Sequence, residues 1–140
     1  MSKLLRRAKT KLSGAHHSYR HIAEDDAFAD DCCYNLQQCI EFTLKYIVEM
    51  NGKKYVENHD IRAQLNILKK LGVTLPKEKE LRLYSATLNS WEAESRYNDN
   101  FVSLEDDIKD MFEIAEELVK YADSLAIQED LQKMDAFDGY

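Results

Sequence analysis

Helix breakers are nearly missing from this chain: one proline, Pro76, and four glycines serve 140 residues. A β-rich domain needs a turn about every 8–12 residues, and such turns draw on Gly and Pro. A chain this poor in both favours long helices joined by few connections. With 44% hydrophobic and 32% charged residues, it is too apolar and too evenly mixed for disorder. At this length one domain can bury a core without a disulfide or metal staple.

Hydrophobic spacing places five helices. The first, over about residues 3–23, carries Leu4, Leu5, Ala8, Leu12, Ala15, Tyr19, Ile22 and Ala23 at steps of three and four. Asp25 or Asp26 can cap the second, over about 27–50. Its inner stripe runs through Cys32, Leu36, Ile40, Leu44 and Ile47, flanked by Phe28, Phe42 and Tyr46, so it is expected at the centre. Asn51-Gly52 supplies a left-handed stop. The third helix, about 60–71, is expected to start from an Asn58 or His59 cap. The fourth starts near Pro76 and runs to about 97, with Leu81, Tyr84, Leu88, Trp91 and Ser95 on one seam. Ser103 caps the fifth, whose periodicity from Ile108 to Leu125 is the clearest in the chain. The expected fold class is all-α, an up-and-down bundle of five helices over residues 1–128, with 129–140 a loosely held tail.

Charge is unevenly placed. The net charge is −7, yet residues 1–20 hold Lys3, Arg6, Arg7, Lys9, Lys11 and Arg20 and no acid. An acidic whole excludes a general nucleic-acid coat; the basic first helix leaves room for one localised anionic contact. That acid-free start loosely has the composition of a mitochondrial transit peptide, but its apolar stripe has a packing use. Cys32, Cys33 and Cys39 are odd in number, and neighbours on a helix diverge, which argues against a disulfide framework. Without a long apolar run, no membrane span or secretory signal is expected, and the location expected is cytosolic.

Several chemistries find no support. Cys32 and Cys39 sit about 10 Å apart along a helix axis, too far to share one zinc, and His17 and His21 gain no third ligand at helical spacing. No metal, cofactor or catalytic residue is therefore assigned. There is no Gly-x-Ser-x-Gly turn and no glycine-rich phosphate loop. Paired acids such as Asp30/Asp31 and Asp106/Asp107 stand near helix starts, where the dipole stabilises negative charge.

Polar residues set in or beside the apolar stripes carry more information. Gln37, Gln38, Glu41 and Lys45 line the second helix, and Glu41 precedes Lys45 by four, the favourable order for an ion pair. Such a pair stands at a bundle opening or in a buried network. His59-Asp60 opens the third helix. Arg96-Tyr97 ends the fourth, before Asn98-Asp99-Asn100. An arginine there can grip phosphate with two parallel hydrogen bonds, and a tyrosine can stack on a base. Equally, Arg96 can close a helix C-terminus and Tyr97 can pack.

The order of these pieces resembles a known family. Residues 34–52, YNLQQCIEFTLKYIVEMNG, look like the second-helix signature of HEPN domains, with Gln, Glu, Lys four residues on, and a Gly-ended helix. His59-Asp60-Ile61 resembles that family's His-Asp-Leu opening, and Ser95-Arg96-Tyr97-Asn98 its Arg-Tyr-Pro segment, with Asn98 in place of the proline. The resemblance spans about residues 4–126. It implies a helical bundle, commonly a homodimer, that binds nucleotide or RNA, often beside a small nucleotidyltransferase in toxin–antitoxin or defence systems. Many members cleave RNA with an Arg followed four to six residues later by His. No His follows Arg96 at that spacing. The expectation is a non-cleaving module in which Arg96 holds phosphate, Tyr97 and Asn100 meet base or ribose, Asp99 belongs to the same ligand site, and Glu41, Lys45 and His59 line or brace the same groove. A ribonuclease with an atypical site and a pure protein-interaction scaffold are the alternatives.

Overall fold

The computed structural model describes residues 2–94 and 105–138, with backbone only for 92–94 and 136–138. Five helices follow one another: α1 (Lys3–Arg20), α2 (Ala27–Met50), α3 (Ile61–Lys70), α4 (Glu78–Glu94) and α5 (Glu105–Asp138). No strand occurs among the described residues. The all-α expectation is met, and α2 is indeed the central element, since it packs on each of the other four.

The reason lies in α2's composition. Leu36, Ile40, Leu44 and Ile47 are fully buried, and so are Cys32, Cys33 and Cys39 on adjoining faces. A helix apolar over so much of its circumference has to be surrounded. From α1, Leu5, Ala8 and Ala15 cover one side, and Gly14 lets the two helices approach closely: a Cβ there would lie 3.2 Å from the Asn35 side chain. Ile108, Met111, Ala115 and Leu118 of α5 cover another side. Ile61, Leu65 and Leu68 of α3, with Leu81, Leu88 and Trp91 of α4, close the far end.

Local chemistry sets the helix limits. The Ser2 side chain accepts a hydrogen bond from Leu4 N at 3.1 Å and so caps α1. α1 stops at Arg20, short of the expected Ala23, because the His21 N–H turns back onto the Ser18 and Tyr19 carbonyls and a turn follows. Asp25 Oδ1 accepts from Ala27 N at 2.9 Å at the start of α2. The cap of α3 is Asp60, not Asn58 or His59: Asp60 Oδ1 accepts from Arg62 N, while Asn58 Oδ1 accepts from Asp60 N one step earlier, each at 3.0 Å. α4 begins at Glu78, after a turn in which Lys77 takes a positive φ. The expected Ser103 cap and the Ser95 seam position lie outside the described residues.

α5 continues to Asp138, through the segment expected to be loosely held. Its side chains over 130–135 are exposed, so packing does not impose the helix there. Good helix formers and the Glu129–Lys133 pair at 3.1 Å, four apart with the acid first, favour it locally.

The central position of α2 makes its core residues the most sensitive in the chain. Leu44→Ala is expected to lower unfolding free energy by about 2–5 kcal/mol, read from urea denaturation, whereas Leu131→Ala on the exposed end of α5 should cost less than about 1 kcal/mol.

Candidate functional site

Glu41 is the unusual residue of α2: an ionisable side chain only 1% exposed. A buried carboxylate is tolerated when donors surround it, and here they do. Lys45 Nζ donates to Oε1 at 3.2 Å, one turn further along the helix. His59 Nδ1 meets the same oxygen at 2.8 Å. Oε2 accepts from Gln38 Nε2 at 3.2 Å and from Gln37 Nε2 at 3.4 Å, and Gln38 Nε2 also donates to Gln37 Oε1 at 2.9 Å. A carboxylate in its ionised form only accepts, so Nδ1 of His59 carries the hydrogen of that bond. The Glu41–Lys45 pair joins the two arrangements open to it: the carboxylate lies in a buried network, and Lys45 also borders an opening.

His59 comes from a loop and needs its own support. Gly52, at φ +76, turns the chain out of α2. The 51–60 loop is then fixed by Gln64, a fully buried side chain of α3. Its Nε2 donates to the Val56 carbonyl at 2.7 Å and its Oε1 accepts from Val56 N at 3.3 Å. Asn89 of α4 holds the following turn, accepting from Ile61 N and donating to Asp60 Oδ1. Lys45 Nζ lies over the Tyr55 ring, 5.3 Å from its centroid.

On the solvent side these groups border a cleft of about 310 Å3, lined by Leu4 and Arg7 of α1, Phe42 and Lys45 of α2, and Tyr55, Glu57, Asn58 and His59 of the loop. His59 is 63% exposed by its side chain, and Arg7 is exposed as well. The cleft therefore offers a guanidinium, an ammonium and an imidazole beside two aromatic rings. That set suits a phosphate next to a flat apolar group.

Glu41, Lys45 and His59 are thus brought together as one network. Arg96, Tyr97, Asp99 and Asn100 lie outside the described residues. Tyr55 and the supporting Gln64 were not singled out from the sequence, Phe42 was read only as flanking the inner stripe of the second helix, and Arg7 only as part of the basic first helix. Gln64 had a readable signal, a polar residue on the otherwise apolar face of Ile61, Leu65 and Leu68. Arg7 also had one, since Lys3, Arg7 and Lys11 recur every four residues. Tyr55 had none, because the loop conformation that turns its ring toward Lys45 depends on tertiary contacts.

The sulfur groups stay outside this chemistry. Burial pushes the Cys32 and Cys39 thiols up to about 12, and all three cysteines are buried. Among the described residues no three His, Cys, Asp or Glu side chains are grouped to hold a metal ion. His21 is engaged with Glu24 at 3.1 Å and lies against Phe28. Among the described residues no helix is long and apolar enough to cross a membrane.

The family model described as HEPN domain matches residues 1–125 of the chain. Neither the curated proteins nor the solved structures contain a match.

The buried carboxylate sets a measurable asymmetry. Glu41→Gln leaves Lys45 without its counter-charge and should destabilise the fold by about 3 kcal/mol or more. His59→Ala, at an exposed position, should cost no more than about 1 kcal/mol. Urea unfolding of both variants checks the difference, and equal losses would show that Glu41 is not the centre of the network.

Proposed function

The chain belongs to the HEPN domain family, and from that premise we propose that it is a nucleotide- or RNA-binding helical module whose ligand occupies the cleft between α1, Lys45 and the 51–60 loop. The observation that carries this reading is the convergence of Arg7, Lys45 and His59 with Phe42 and Tyr55 on one cavity. Phosphate oxygens are met by Arg7 and His59, and a base by the rings. Lys45, already paired with Glu41, contributes charge more than a free hydrogen bond. The module acts without cleaving, because Arg96 has no His four to six residues after it. Homodimer formation and action beside a small nucleotidyltransferase in a toxin–antitoxin or defence setting belong to this proposal on the ground of the family alone.

Arg7→Ala should leave the fold intact and remove most of the thermal stabilisation given by nucleotides. The expected loss is tenfold or more in affinity, corresponding to one charge-assisted hydrogen bond of about 1.5–3 kcal/mol. Unchanged stabilisation in that variant would refute the cleft as the site. Arg96→Ala tests the part drawn from the resemblance: undiminished binding there removes Arg96 from the site and leaves the Arg7 cleft standing.

One observation favours a second reading, a ribonuclease with an atypical site. His59 is oriented by a buried carboxylate, the arrangement that sets a histidine up as a general base. RNA left intact after prolonged incubation with the wild-type chain would sink this alternative.

A further inference from the structure

The cleft at His59 is not the end of the basic surface. Along α1, Lys3, Arg7 and Lys11 follow at four-residue spacing, with Arg6 and Thr10 between them at the same spacing. On a helix these make one stripe, about 12 Å long from Lys3 to Lys11. It lies beside the buried face of Leu5, Ala8 and Ala15 and apart from Lys9, whose Nζ is turned to Asp123 of α5. The stripe borders a second hollow of about 610 Å3, floored by Gln38 and Phe42 of α2. Among the described residues no salt bridge engages Lys3, Arg6 or Arg7. Arg7 and Phe42 line both hollows, so the two adjoin.

We propose that this second hollow is a phosphate-tracking subsite, so that the ligand is a single-stranded oligonucleotide running from the His59 cleft across Phe42 along α1, and not a mononucleotide. The inference rests on the binding reading given above. Both hollows hold cations and share the Phe42 ring between them, the groups that a strand alternating phosphate with base requires. An acidic protein surface would be attracted by the same charges, but it brings no flat base to set on Phe42, the ring that borders both hollows. The chain's net charge of −7, with every acid beyond residue 20, confines this attraction to the α1 face.

The test compares uridine mononucleotide, dinucleotide and hexanucleotide on the full chain by fluorescence anisotropy and calorimetry, in the wild type and in Lys3→Ala/Arg6→Ala/Lys11→Ala. That triple variant leaves Arg7, Lys45 and His59 in place; Lys3 and Arg6 are exposed and Lys11 is half-buried, its Nζ 5.5 Å from the Tyr34 ring centroid. The wild type should bind more tightly as the strand lengthens. The triple variant should lose about tenfold or more for the hexanucleotide, with a salt dependence shallower by about two in log–log slope, and keep the mononucleotide. A variant that binds every length as the wild type does overturns the subsite and leaves the His59 cleft standing. Failure of the wild type to bind any length overturns both. A polyglutamate peptide of equal charge that binds as tightly as the hexanucleotide overturns the strand as occupant in favour of an acidic protein.

Discussion

A carboxylate sealed inside a helical bundle governs the rest of this molecule. Glu41 stands on the most surrounded helix, one turn from Leu44, and is almost wholly buried. Its charge is offset by Lys45, His59, Gln37 and Gln38. Removing any one donor leaves the others, but removing the acid leaves a buried ammonium and two amides to be satisfied anew. The same carboxylate reaches out of the core through His59 and thereby ties a surface loop to the central helix. Core stability and site geometry are set by one group.

The first helix divides its circumference between three tasks. Leu5, Ala8 and Ala15 close the core, Lys9 joins α5 through Asp123, and Lys3, Arg7 and Lys11 face the groove. Because a helix repeats every 3.6 residues, all three faces fit within the first four turns. The groove lies along α1 and α2, which approach each other closely near Gly14 and Asn35. It owes its charge to the lack of acids before Glu24. In an acidic chain such a local positive field steers anionic ligands to one face and repels them elsewhere.

Most of the fold was legible because it depends on periodicity. The stripes of α2 and α5 name their own buried residues, and the Glu41–Lys45 spacing announced an ion pair. Ends were less legible, since capping is decided by a single side chain: Asp60 takes the role that Asn58 or His59 could equally have filled. The site was legible in part. Glu41, Lys45 and His59 were readable as polar groups among apolar ones, whereas Tyr55 and Arg7 join them only through the course of a loop and the packing of two helices. The far end of α5 was the least legible, because its helix is held by local propensity without a core-facing stripe to mark it.

The most direct test of where this chain meets its ligand is an amide chemical-shift map recorded while a short uridine oligonucleotide is titrated into the isotope-labelled protein. Perturbations concentrated at residues 3–11, 38–45 and 55–59 are expected. Perturbations clustered at the opposite end of α1, around Tyr19, Arg20 and Ile108 where another hollow lies, would contradict the assignment of the groove.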